Sequence, residues 1–421
     1  MSDIDLQLLG LTGQEVERVE SFGSFVENQE DSSSEVETAP SNIMVDAVIS
    51  DEFTPGTPDE FDLASGSTAF QILGTSGNDD IVGTEFADFI DALAGRDRVS
   101  GRLGNDTIEG GIGSDDLAGQ GGNDEIFGED GSDLIYGDSR PSDNPLETFF
   151  GSDKISGGDG RDIIFGGLGD DSISGDRGAD ALSGGDGNDD LNGGAGQDNM
   201  IGGEGNDDLN GDGGNDIIFG EDGDDLVDGG GGADLLYGDR RDSSSNAIGN
   251  DTIIGGGGTD TLIGGARNDS LDGGRQNDRL IGVEDFQTEF DFGADTIDTL
   301  TGGAGSDTFV LGGIGENSQE FVYYNDGNPQ QAGLDDYALI TDFTLGTDLL
   351  EVVGSASDYV LSSSPAGLPS GLGVFSVQAG EPNELIAILE GVSFIQSSSP
   401  TTNSSSSVSL DSTNMFSFIA A

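Results

Sequence analysis

The chain contains no histidine and no cysteine, and only 13 of its 421 residues are lysine or arginine. Without histidine there is no Ser-His-Asp triad and no HExxH zinc site. Without cysteine there is no thiol nucleophile, no disulfide frame and no thiolate-bound metal. The few basic residues stand against 83 Asp and Glu, a formal net charge of −70. Such a charge excludes nucleic acid as a natural partner and makes a compact state repel itself unless cations bind. Apolar residues are only 33% of the chain, poor material for a conventional globular core. No run approaches the roughly eighteen apolar residues of a membrane span, so none is expected. Asp3 and Asp5 stand where a secretory signal would place Lys or Arg, and a cleaved N-terminal signal is not expected either.

What is abundant is glycine, 74 residues of it, and its placement is periodic. From Gly74 onward the chain returns to one template, GGxGxDxUx with U a large apolar residue; Gly184 to Asn192 reads GGDGNDDLN. The sixth-position aspartates form a first run of Asp79, Asp88, Asp97, Asp106, Asp115, Asp124 and Asp133, each nine residues from the last. A second run is Asp153, Asp162, Asp171, Asp180, Asp189, Asp198, Asp207, Asp216, Asp225 and Asp234. A third is Asp251, Asp260, Asp269 and Asp278, after which Asp295 and Asp307 are assigned singly, for 23 units in all. An apolar residue follows two positions after every one of these aspartates, as in Ile164, Ile173, Leu182 and Leu191. Acidic disordered chains do not hold such a phase over more than 200 residues. Insertions around Arg140 to Phe150, Arg241 to Ile248 and Glu284 to Phe292 read as surface loops, because the repeat resumes behind each.

The template is chemically specific. Glycine at positions 1, 2 and 4 permits a sharp turn that exposes carbonyl oxygens, and the Asp adds a carboxylate. These are hard oxygen ligands, suited to the six to eight flexible contacts of Ca²⁺. The xUx remainder is a minimal strand with its central side chain inward. Two units make an eighteen-residue coil, so units n and n+2 stack and their carboxylates face one gap. Counted within the uninterrupted runs, this predicts about 15 calcium ions in two rows. The expected ligands are Asp106, Asp115, Asp124, Asp133, Asp153, Asp162, Asp171, Asp180, Asp189, Asp198, Asp207, Asp216, Asp225, Asp234, Asp251 and Asp260. Weaker sites are expected at Asp269 and Asp278, where Arg267 and Gln276 replace the turn glycine, and in the first units, where Phe86 and Ala92 depart from the pattern. One inward side chain per nine residues buries too little to order a repeat alone, which makes the metal a folding partner. Asp208, Asn210, Asp212 and Gly213 begin like an EF-hand loop, but Phe219 stands where that loop needs Glu.

These nonapeptides resemble those of RTX, or haemolysin-type, calcium-binding proteins, over Gly74 to about Val310. The resemblance implies an all-β, right-handed parallel β-roll that folds with Ca²⁺, export by type I (ABC) secretion machinery, and an uncleaved C-terminal export signal. It implies a secreted protein, extracellular or at the cell surface.

The flanks differ in composition. Residues 1–69 are acidic, with Thr12 and Glu15 positioned for a capping box before a short helix or else a disordered leader. Residues 70–310 are the repeat domain. Residues 311–396 carry strand signals at Tyr337 to Phe343, Leu349 to Val353, Gly373 to Val377 and Glu384 to Leu389, and are expected to form a β-rich cap. Residues 397–421 are a Ser-rich spacer and a short apolar tail, a candidate export signal. The leading functional expectation is a non-enzymatic calcium-binding protein. The alternatives are a β-helix polysaccharide lyase or epimerase using carboxylate pairs, and a toxin or adhesin fragment.

Overall fold

Each repeat forms one glycine-rich turn and one short strand, and successive strands alternate between two parallel sheets. The computed structural model describes residues 70–140, 150–239, 249–283, 296–314, 320–324, 336–377, 383–392 and 415–419. The chain forms two compact units, Met1–Gly203 and Glu204–Ala421. The helix expected near Thr12, the leader and the Ser-rich spacer lie outside the described residues.

In the first unit, Asp88–Asp91, Thr107–Gly113, Glu125–Gly131, Lys154–Gly160, Ser172–Arg177 and Asp190–Asn192 pair side by side in one parallel sheet. Asp80–Val82, Arg98–Leu103, Asp116–Gly121, Leu134–Tyr136, Ile163–Leu168 and Ala181–Asp186 build the other. Register follows the apolar position: Ile108 lies opposite Ile126, and Ile155 opposite Ile173. Ile155 is also opposite Ile126, so the ladder crosses the first insertion without a break. Ile108, Ile126, Ile135, Ile164, Leu182 and Leu191 are fully buried. This inner line is the core, each side chain contributing roughly 1.5–3 kcal/mol of apolar burial.

The second unit repeats the plan. Asp208–Asn210, Leu226–Asp228, Thr252–Ile254, Ser270–Asp272, Ile297–Thr301 and Tyr337–Ile340 form one parallel ladder. Ile217–Asp222, Leu235–Tyr237, Thr261–Gly265, Arg279–Val283, Thr308–Val310, Leu349–Val353 and Phe416–Ile419 form the other. Parallel pairing thus continues beyond the glycine-rich repeats. On the first ladder Glu384–Glu390 pairs in parallel with Tyr337–Ile340 and is followed by two antiparallel strands, Gly371–Ser376 and Tyr359–Ser363. The apolar tail at Phe416–Ile419 is a strand on Leu349–Val353, with Met415 buried and Phe418 against Tyr359 at 6.5 Å between ring centres.

One register assignment is corrected. Ser270 pairs with Thr299, and the Asp269 N–H bonds Asp298 Oδ1 at 2.9 Å, so Asp298, not Asp295, takes the repeat position. Asp298 precedes Asp307 by the regular nine residues. Asp295 has a nearer glycine and its own apolar residue two positions on, and that local match drew the assignment.

Candidate metal centres

The repeat aspartates stack into continuous columns along the turns. In each, the backbone N–H of one aspartate donates to Oδ1 of the aspartate one coil further on. The first unit carries two such columns. One runs Asp88, Asp106, Asp124, Asp153, Asp171, Asp189, with bonds of 2.7–2.8 Å. The other runs Asp79, Asp97, Asp115, Asp133, Asp162, Asp180, Asp198, at 2.8 Å throughout. In the second unit Asp207, Asp225, Asp251, Asp269 and Asp298 form one column. Asp216, Asp234, Asp260, Asp278, Asp307 and Asp348 form the other. All sixteen aspartates expected as ligands are buried in these columns. The columns also bridge the insertions, pairing Asp124 with Asp153 and Asp225 with Asp251. Counting only uninterrupted runs therefore undercounts the stacked pairs.

The second carboxylate oxygen has a different fate. Oδ2 of Asp97, Asp106, Asp124, Asp153, Asp171, Asp180, Asp225, Asp234, Asp251, Asp260, Asp269 and Asp278 is buried and makes no hydrogen bond. An unsatisfied buried carboxylate oxygen is costly, and a whole column of them calls for a cation. Where a glycine opens the turn, a carbonyl flanks the oxygen. A methyl group on Gly166 would lie 2.3 Å from Asp171 Oδ2 and 2.6 Å from Gly184 O. The same cradle recurs at Gly220, 2.3 Å from Asp225 Oδ2 and 2.7 Å from Gly238 O. Among the described residues no three acidic side chains already group around one metal position. An ion here must take main-chain oxygens with carboxylates, the all-oxygen set that suits Ca²⁺. Bound calcium would supply the positive charge that these columns lack.

Electrostatics agree. Burial pushes Asp124 up to about 8, against the lowering effect of the Asp106 N–H, with repulsion from Asp153, Asp106 and Asp138 adding to the rise. Burial likewise raises Asp171, Asp225 and Asp251 to about 8. Among the described residues no cationic group offsets the rise at these four aspartates.

The template glycines are explained by the turn. Its second position is left-handed, at φ 127° in Gly167 and 121° in Gly185, and where Arg102, Gln120 or Glu129 stands there φ is still 71–83°. Glycine adopts this without strain. Arg267 and Gln276 also take positive φ, 81° and 80°, so the turns before Asp269 and Asp278 close despite them. Both aspartates keep their column positions.

Three features escaped the sequence reading. First, the residue before the Asp is often Asn because its side chain forms an outer ladder, as in Asn123 N to Asn105 Oδ1 at 3.1 Å and Asn250 N to Asp224 Oδ1 at 2.8 Å. Second, the terminal turns close on themselves. Thr75, Thr84 and Thr344 each donate their N–H at 2.6 Å to Oδ2 of the aspartate four residues on, Asp79, Asp88 and Asp348. Third, the fully buried Tyr324 donates its hydroxyl to Asp298 Oδ2 at 2.6 Å, against Gly282. The Oδ2 atoms of Asp79, Asp88, Asp348 and Asp298 are thus satisfied by the protein where those of Asp106 and Asp171 are not.

The RTX calcium-binding nonapeptide repeat model matches residues 73–108, 109–139, 148–182, 165–200, 174–209, 183–218, 210–240, 247–280 and 292–313. The chain belongs to this family and is a calcium-binding, parallel β-roll protein. A comparison with curated proteins finds no match. Among solved structures it is similar to a hyperactive, Ca²⁺-dependent, β-helical antifreeze protein from an Antarctic bacterium. The identity is 19% and the TM-score 0.34, over 57% of this chain and 86% of that one.

Proposed function

We propose that this is a secreted, non-enzymatic calcium-binding protein whose repeats fold around calcium once outside the cell, and which serves as a structural or interaction element in the extracellular space or at the cell surface. The observation that carries the reading is the column of buried Oδ2 atoms without protein donors. Its ligands are the sixteen aspartates from Asp106 to Asp260 named above, joined by Asp269 and Asp278, whose cradles at Gly264 and Gly273 are built alike. The number of ions is about fifteen or more, because stacking continues across the insertions. A chain held unfolded in calcium-poor cytosol suits a narrow ABC export channel, and binding that stabilises only the folded form opposes return. The C-terminal segment 397–421 is proposed to carry the export signal and, after folding, to place Phe416–Ile419 on the sheet.

The test has two arms. The metal-free full chain gains β circular dichroism on millimolar Ca²⁺ and little on Mg²⁺, which demands stricter octahedral geometry; an unchanged spectrum refutes calcium-coupled folding. Deleting residues 397–421 abolishes appearance in the medium while calcium uptake by the repeats persists. Full-length levels of the truncated protein outside the cell would refute the export reading.

A further inference from the structure

The first two insertions begin alike, Tyr136-Gly137-Asp138-Ser139-Arg140 and Tyr237-Gly238-Asp239-Arg240-Arg241. Each puts an aspartate at the second turn position, where Asp176 and Asp212 of other repeats are left-handed; neither Asp138 nor Asp239 is. Both side chains turn inward, with exposures of 9% and 1%. Asp138 Oδ2 accepts the N–H of Leu168 on the next turn at 2.8 Å, and Asp239 Oδ2 accepts that of Ala266 at 2.6 Å. Each carboxylate therefore lies between its own turn and the following one. Glycine is required opposite: a methyl on Gly167 would lie 2.5 Å from Asp138 Oδ2, and one on Gly265 2.8 Å from Asp239 Oδ2.

The same inter-turn gap already holds a cradle. At Gly137 it is Asp153 Oδ2 and Gly166 O, 2.3 and 2.5 Å from a methyl placed there; at Gly238 it is Asp251 Oδ2 and Gly264 O, at 2.2 and 2.6 Å. Asp171 and Asp269 close the far side through their Oδ1 bonds to the N–H of Asp153 and Asp251. Asp138 Oδ1 is buried and has no hydrogen-bond partner, as has Asp153 Oδ2. Two residues on, the buried Arg140 bonds Asp116 Oδ1 at 2.7 Å and Asp116 O at 2.9 Å.

We propose that Asp138 and Asp239 make these two gaps the tightest cation sites of their units, each holding a third carboxylate beside a gap that elsewhere has two, from where it closes onto the ion. Affinity of oxygen sites for calcium rises with the charge of the ligand set. The turns that lead into the insertions are then sites filled first as calcium rises. The third insertion turn differs in kind, with Val283 at this position and the Tyr324 hydroxyl on Asp298. The proposal rests on the calcium reading.

Terbium, a trivalent stand-in for calcium, tests it by position. Tyr136 and Tyr237 each lie two residues before the added aspartate, stacked on Phe165 at 5.1 Å and on Phe219 at 4.7 Å. The first two equivalents of Tb³⁺ give tyrosine-sensitised emission that Tyr136→Phe with Tyr237→Phe removes without changing uptake. In a calcium titration against a chelator, Asp138→Asn with Asp239→Asn weakens the two tightest sites about tenfold or more. The control Asp190→Asn with Asp208→Asn removes two exposed charges and leaves them unchanged. Wild-type affinities in the Asp138 and Asp239 variant, or early emission that survives the tyrosine changes, overturn the proposal. Absence of any calcium binding by the wild type would instead overturn the calcium reading beneath it. Should the asparagine variant fail to fold, the emission test on the tyrosine variant still decides.

Discussion

Two glycines in one turn separate the metal cradle from the turn itself. A methyl on Gly255 would lie 2.7 Å from Gly273 O and 2.8 Å from Asp260 Oδ2, well inside van der Waals contact, while one on Gly257 would meet only Gly230 O at 3.9 Å. Neither glycine is left-handed, so alanine is permitted by the backbone at both. Gly255→Ala should cost about 1–3 kcal/mol through overpacking and should also fill the space between the two oxygens. Gly257→Ala should gain about 0.4–1 kcal/mol by restricting the unfolded chain. The difference, about 1.4–4 kcal/mol, is roughly ten- to a thousandfold in the folding equilibrium at fixed calcium. Calcium titrations followed by circular dichroism, with ion counts from calorimetry, read it directly. The expected outcome is a raised calcium midpoint and one ion fewer for Gly255→Ala, and an unchanged count for Gly257→Ala. Equal behaviour of the two variants would refute the placement of the cradle between Asp260 and Gly273.

Tyr324→Phe leaves Asp298 Oδ2 buried without its donor, a penalty of about 1–3 kcal/mol. Hydrogen exchange of the Ile297–Thr301 strand at low calcium should rise accordingly, and unaltered protection would show that the phenol does not hold this column end. The pH dependence follows from Asp124, Asp171, Asp225 and Asp251, which burial raises to about 8. Between about pH 4 and 8 the metal-free folded state binds more protons than the unfolded chain, so its stability is fully present at the acid end and falls as pH rises through that window. Calcium needs the deprotonated form, so binding between pH 6 and 8 should release protons in a pH-stat, and release no greater there than at pH 9 would contradict the burial of these groups.

The inner apolar line and the aspartate columns were legible from the nine-residue period, because a solenoid repeats the same local geometry in every unit. Ile155 and Ile173 face each other as the period requires, and Asp153 reaches Asp171. Long-range closures carry no period. Tyr324 is 26 residues from Asp298 and matches no template position. Asp138 replaces the second template glycine, as Asp176 and Asp212 also do, and only the parallel wording at Asp239 distinguishes it. The columns bridge the insertions because spatial stacking ignores chain length, whereas a count along the sequence stops at each loop. Asp298 and Asp295 show two sequence signals in conflict: local glycine favours Asp295, the nine-residue distance to Asp307 favours Asp298, and the ladder follows the distance.

The self-closing ends explain why metal dependence need not run the length of the chain. At Asp79, Asp88 and Asp348 an N–H from the same turn takes the second oxygen, and at Asp298 a phenol does. Such turns are complete in protein donors and place fewer demands on calcium. The turns at Asp79 and Asp88 lend the aspartate N–H to a neighbouring Oδ1 as interior turns do, but interior turns have no threonine N–H or phenol on Oδ2, so the Oδ2 of Asp106 or Asp171 is left to an external cation. Each interior ion then ties two turns whose backbone bonds already depend on each other. Calcium uptake should therefore spread cooperatively along a column and stop where threonine or tyrosine closes it.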